Sequence, residues 1–149
     1  EQEKGLRAGT EAVHQIAGMA KALELCYEHL EENRQKITDL KVFTWGCLQE
    51  AFPVIKSNGS VATTFYSLLN VQLPISEEQS TMILFTLDMK GIAVSRGSAC
   101  QSGSAKPSHV LAEMLSESDL KKPSIRISFS YTSSKEEVLF LVAALKELV

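Results

Sequence analysis

Ile16, Met19, Ala20, Leu23, Cys26, Tyr27 and Leu30 recur at steps of three and four residues. That spacing predicts an amphipathic helix over 10–34, with one apolar face to pack on a core. Glu24, Glu28, Glu31, Glu32 and Arg34 fall mostly on its other sides. Thr10, after Gly9, is placed to cap the first turn with its hydroxyl. The helical pattern continues, with a break, through Phe43, Leu48 and Ala51. Pro53 closes it, because proline has no N–H to give and clashes with the preceding turn. Ser57-Asn58-Gly59-Ser60 is a turn signal. The β-branched and aromatic run over 61–71 then predicts a strand, centred on 64–70 and ended by Pro74.

The second half alternates in the same irregular way. Ser76-Glu77-Glu78 predicts a helix start, with acidic side chains near its positive end. Met82, Ile83, Phe85, Leu87 and Met89 are its apolar positions, and Gly91 follows it. Ile92-Ala93-Val94-Ser95 reads as a short buried strand. Residues 96–107 are small and carry no apolar period, so a mobile loop is expected there. Ser108 caps a short helix. Residues 124–130 alternate apolar and polar, which predicts a strand with one wet face. Ser133 or Ser134 caps a last helix, with Val138, Leu141, Val142, Leu145 and Leu148 on its core side. Together these elements predict an α+β fold: a small, mainly antiparallel sheet of three to four strands with helices over one face.

Composition narrows the class. The chain has 149 residues, enough for one domain with a real core. Charged residues make up 22% and the net charge is -3, with neither half basic. No broad electrostatic footprint for nucleic acid exists. No apolar run is long enough for a membrane span. Glu1-Gln2-Glu3-Lys4 is not a signal peptide, and a fragment of a longer cytoplasmic protein is expected. Cys26, Cys47 and Cys100 are too few and too scattered for a disulfide framework, and no metal-ligand spacing is present.

Three places carry candidate chemistry. Cys100 lies among small residues, where a thiol can reach a substrate, and Arg96 and Lys106 stand close enough in sequence to favour the thiolate. Arg126 sits mid-strand between Ile125 and Ile127 and points away from their face; a planar guanidinium there suits a carboxylate. Gly5-Leu6-Arg7-Ala8-Gly9-Thr10 precedes a helix, a setting that brings N–H groups and a hydroxyl to a phosphate. It matches neither the P-loop nor the dinucleotide fingerprint. His109 follows Cys100 too closely for a Cys–His protease arrangement and is expected to be structural.

Three stretches together resemble the NifS-like cysteine desulfurases of the class V aminotransferase group. Gln2-Glu3-Lys4-Gly5-Leu6-Arg7-Ala8-Gly9-Thr10-Glu11 is similar to that family's Q-E-x-G-x-R-x-G-T-E pattern. Gly97-Ser98-Ala99-Cys100 is followed by Pro107-Ser108-His109-Val110-Leu111. Ser124-Ile125-Arg126-Ile127-Ser128 is followed by Thr132 and Glu136-Glu137. The match runs nearly end to end, over the final part of a family member.

The resemblance implies the C-terminal small domain of a fold-type I enzyme whose cofactor is pyridoxal 5'-phosphate (PLP). It implies that Cys100 is the catalytic thiolate, which takes sulfur from L-cysteine and leaves L-alanine and a persulfide. Arg126 would bind the substrate carboxylate. Thr10 would contact the PLP phosphate of the neighbouring subunit in a homodimer. The sulfur would pass to an acceptor such as an iron–sulfur scaffold. The resemblance departs at four points. No lysine has the Ser/His-rich setting of the PLP lysine and the large PLP-binding domain is not in this sequence, so this chain alone is expected not to bind PLP covalently and to be inactive. Residues 41–75 lack the usual Pro-Asn strand pattern, and Arg96 replaces a small residue. A selenocysteine lyase, another class V relative, or a stand-alone sulfur-carrier module would share many of these features.

Overall fold

The computed structural model describes residues 5, 8–76, 82–96 and 108–148. The chain forms two compact units, Glu1–Asn33 and Arg34–Val149. The first contains helix α1 (Val13–Glu28), which none of its residues leaves buried. Ile16, Met19, Leu23 and Tyr27, the stripe expected to pack on a core, are all at least half exposed. Thr10 does not cap this helix. The N-cap is Ala12, whose methyl cannot accept a hydrogen bond, and no side chain replaces it. The chain turns at His29 and enters α2 (Leu30–Ala51), so the break falls inside the helix expected over 10–34 rather than after it.

The second unit is the α+β layer that the pattern predicts. Strands β1 (Lys56–Ser57), β2 (Leu68–Gln72) and β3 (Ser124–Ser128) pair antiparallel in the order β1-β2-β3. Leu69 and Val71 of β2 share a buried face with Ile127 and Ile125 of β3, directly opposite in register. Helices α2, α3 (Ile83–Met89) and α6 (Lys135–Lys146) contribute to the same core. From α2 come Ile37, Leu40 and Leu48, with Lys41 and Thr44 between them on the same helical face. From α6 come Val138, Leu141, Val142 and Leu145. Ser134 caps α6 in a reciprocal box: its hydroxyl accepts from the Glu137 N–H, and the Glu137 carboxylate accepts from the Ser134 N–H. Short helices α4 (His109–Met114) and α5 (Glu117–Leu120) are capped by Ser108 and Ser116.

Three expected elements differ from what forms. The run over 61–67 is a turn rather than the start of a strand. Thr63 and Thr64 N–H groups both donate to the Ser60 carbonyl, and Lys41 reaches in from α2. Its ammonium donates to the Thr64 carbonyl at 3.1 Å, the Thr64 hydroxyl at 2.9 Å and the Phe65 carbonyl at 3.1 Å. Those oxygens are therefore lost to any strand ladder, and β2 begins only at Leu68. The stretch 92–95 makes a single bridge, at Ser95, not a full strand. Strand β3 ends at Ser128, and Ser130 to Ser133 close a turn. The expected helix start at Ser76-Glu77-Glu78 lies partly outside the described residues, as does the loop over 97–107.

Candidate functional site

The polar side of the sheet is built by one cross-strand row. Asn58 follows β1 and stands opposite Asn70, donating its N–H to the Asn70 carbonyl at 2.9 Å. Asn70 is opposite Arg126. Arg126 is opposite Ser95, and the two exchange both backbone hydrogen bonds, at 3.1 and 2.7 Å. Directly opposed residues present side chains on one face, so Asn58, Asn70, Arg126 and Ser95 line the same side. The backbone groups of Asn70 point to Asn58 and those of Arg126 point to Ser95. Asn70 and Arg126 therefore form a non-hydrogen-bonded pair, the kind whose side chains come closest.

The half-buried Arg126 projects to this polar side, as its strand position predicts. Its Nε is buried and has no hydrogen-bond partner. A buried donor left unpaired costs about 1–3 kcal/mol, so a protein keeps one where it has a use. Next to it lies a polar network. The buried Asn58 donates from Nδ2 to Asn70 Oδ1 at 2.9 Å and to Ser124 Oγ at 2.8 Å. The sequence pattern marks Asn58 only as a turn residue and Ser124 only as the start of the Arg126 strand, and it gives no role to Asn70. The only local signal was the Asn58-Gly59 turn, since Gly59 adopts φ +94°.

Cys100 lies outside the described residues. Its tether does not: Ser95, five positions earlier, is pinned to Arg126. Arg96 is exposed, and Lys106 is not among the described residues. Thr10 is exposed and belongs to the other compact unit. Gly5 and Gly9 before it both adopt positive φ, +81° and +95°. His109 is exposed on α4.

A groove against β3 holds about 300 Å³ and is lined by Ile92, Val94, Ile127, Phe129 and Val138 among others. Arg126 does not line it, and its lining is mainly apolar, so the polar row is the better candidate for chemistry. Lys41 is the one nearly fully buried lysine among the described residues. Desolvation holds its pKa below the ordinary lysine value, a trait of Schiff-base lysines. Its three oxygen partners occupy its ammonium, however, and hold it in a structural role. Among the described residues, no group of three or more His, Cys, Asp or Glu is placed to hold a metal ion. Nor is any described helix long and apolar enough to cross a membrane.

Residues 1–141 match the family described as aminotransferase class-V. A candidate cysteine desulfurase, IscS 1, of Bacillus subtilis (strain 168) is 41% identical over 140 residues, covering 93% of this chain and 36% of that protein. The cysteine desulfurase IscS of Proteus mirabilis (strain HI4320) is 34% identical over 140 residues, covering 94% and 33%. The structure of a NifS-like protein superposes with a TM-score of 0.76 at 26% identity, over 99% of this chain and 36% of that one. The chain thus spans about a third of the length of the relatives it matches. It belongs to the class-V aminotransferase family.

Proposed function

We propose that this chain is the C-terminal small domain of a PLP-dependent cysteine desulfurase, acting on L-cysteine in the cytoplasm as a homodimer. The reading rests on one observation above all. The unpaired Arg126 Nε stands on a strand that is bridged directly to the root of the Cys100 segment. In this reading a carboxylate reader and the start of the chain leading to a candidate nucleophile meet at one point of the sheet.

In this reading Arg126 holds the α-carboxylate of the substrate through a charge-assisted pair. The Cys100 thiolate attacks the substrate sulfur. A new S–S bond forms as the carbon–sulfur bond of the substrate breaks. The electron pair of that bond stays with carbon, which takes up a proton and leaves as L-alanine. Sulfur is carried forward as the Cys100 persulfide for an acceptor such as an iron–sulfur scaffold. PLP, when bound, supplies the electron sink for this bond cleavage. Among the described residues, the exposed Thr10, which follows Gly9 of positive φ, would hold its phosphate end. The buried Lys41 is committed to Thr64 and Phe65 and is not the lysine for covalent attachment in this reading. The remainder of the enzyme supplies that lysine.

The test is sulfur release from L-cysteine by the full-length enzyme and its Cys100→Ser variant. Loss of release with the fold intact supports the assignment. Undiminished release contradicts it. Activity on selenocysteine alone would move the protein to the lyase branch, and a PLP-free persulfide carrier would fit the stand-alone module instead.

A further inference from the structure

Asn70 is the residue whose placement the proposed chemistry leaves unused. It faces Arg126 in a non-hydrogen-bonded pair, on the polar side of the sheet. Its amide has one oxygen and one NH2 group, and the network decides which end faces which neighbour. Asn58 Nδ2 donates to Asn70 Oδ1, so the oxygen is turned toward β1. Asn58 is buried, and its second N–H is taken by Ser124 Oγ. The Asn58 amide is therefore fixed at two points and fixes Asn70 in turn. Arg126 Nε finds no acceptor on its neighbour, as expected if the Asn70 oxygen is directed the other way. The NH2 end of Asn70 is then left for the Arg126 side of the row. A guanidinium beside an amide NH2 is a set of donors without an acceptor, which is complementary to an anion.

We propose that Asn70 is a second carboxylate-binding residue beside Arg126, and that Asn58 is the positioning residue that presents its NH2 group. This rests on Arg126 taking the substrate carboxylate. The Asn70 amide adds a neutral donor at an angle set by the sheet, and the pair recognises an α-carboxylate more selectively than a lone cation does. Ser124 completes the support by holding the Asn58 amide from β3.

The experiment is calorimetric titration of the full-length holoenzyme with L-alanine and with ethylamine. Ethylamine keeps the amine and methyl group but lacks the carboxylate. Asn70→Ala is expected to weaken L-alanine about tenfold or more while leaving ethylamine unchanged. Asn70→Asp keeps the acceptor for Asn58 and the size of the side chain, so it guards against a folding failure. Its carboxylate pairs with Arg126 and repels that of the ligand, and it is expected to weaken L-alanine further still. Asn58→Ala should lower the ratio of L-alanine to ethylamine affinity, whereas a merely structural role would lower thermal stability and leave the ratio alone. If Arg126→Ala loses L-alanine while both Asn70 variants bind it normally, the Asn70 proposal is overturned and the reading of Arg126 stands. If Arg126→Ala also binds L-alanine normally, the reading of Arg126 itself fails.

Discussion

Ser95 and Arg126 are joined by both of their backbone hydrogen bonds, at 3.1 and 2.7 Å, in an isolated antiparallel bridge on the open side of β3. The bridge couples two things that differ in kind. Arg126 is a fixed group on a strand with a buried, unpaired Nε. Ser95 is held by backbone pairing and stands five positions before Cys100 in the sequence. The proposed sulfur transfer would use both, Arg126 to hold the substrate and the Ser95 side of the bridge as the start of the chain leading to Cys100.

Arg126→Met is expected to separate function from stability. The guanidinium holds a buried donor with no partner, and methionine fills similar space without one. Urea denaturation should show stability unchanged or raised by about 1 kcal/mol. Apparent affinity for L-cysteine in the full-length enzyme should fall by about tenfold or more. A loss of stability with unchanged affinity would make Arg126 a structural residue.

Lys41→Met is expected to destabilise the second unit by about 2–4 kcal/mol, because two carbonyls and one hydroxyl lose their common donor. Chemical denaturation measures this directly, and hydrogen exchange should show the first loss of protection near 64–68. A variant as stable as the parent would mean that the turn holds itself.

The same lysine sets a pH dependence. Burial lowers its folded-state pKa below the ordinary 10.5. Between that lowered value and 10.5 the unfolded chain binds the proton and the folded chain does not. Stability from this group therefore rises with pH across that window and is diminished below it. The stability gap between parent and Lys41→Met should widen as pH increases through the window. A gap that narrows there would contradict the desolvation account.

Ser134→Ala removes the acceptor for the Glu137 N–H and opens the capping box of α6. A cost of about 1 kcal/mol is expected in thermal or urea unfolding. No measurable change would mean that the core face of α6, from Val138 to Leu145, sets its start without help from the cap.

The sequence pattern reveals most where the cause is local. The capping box at Ser134, the alternation through Ile125, Arg126 and Ile127, and the core face of α6 all depend on residues within a few positions of one another. The same local pattern misleads at 61–67. Its β-branched residues fit a strand, but Lys41, more than twenty positions away, takes the oxygens that a strand would need. The apolar face of α1 is a second case: periodicity shows that a stripe exists, not what covers it. The roles of Asn58, Asn70 and Ser124 were invisible for a related reason. Their meaning comes from register across three strands, and register is not written in any one segment. Arg126 could be picked out alone, whereas its neighbours could not.

The central claim is that Cys100 carries sulfur taken from L-cysteine. It is tested most directly by a mass spectrum of the Cys100 peptide, taken from the full-length enzyme after incubation with PLP and L-cysteine. The account predicts a gain of one sulfur atom on Cys100 that is absent when PLP is withheld. An unmodified Cys100 peptide, with PLP bound and L-cysteine consumed, would contradict it.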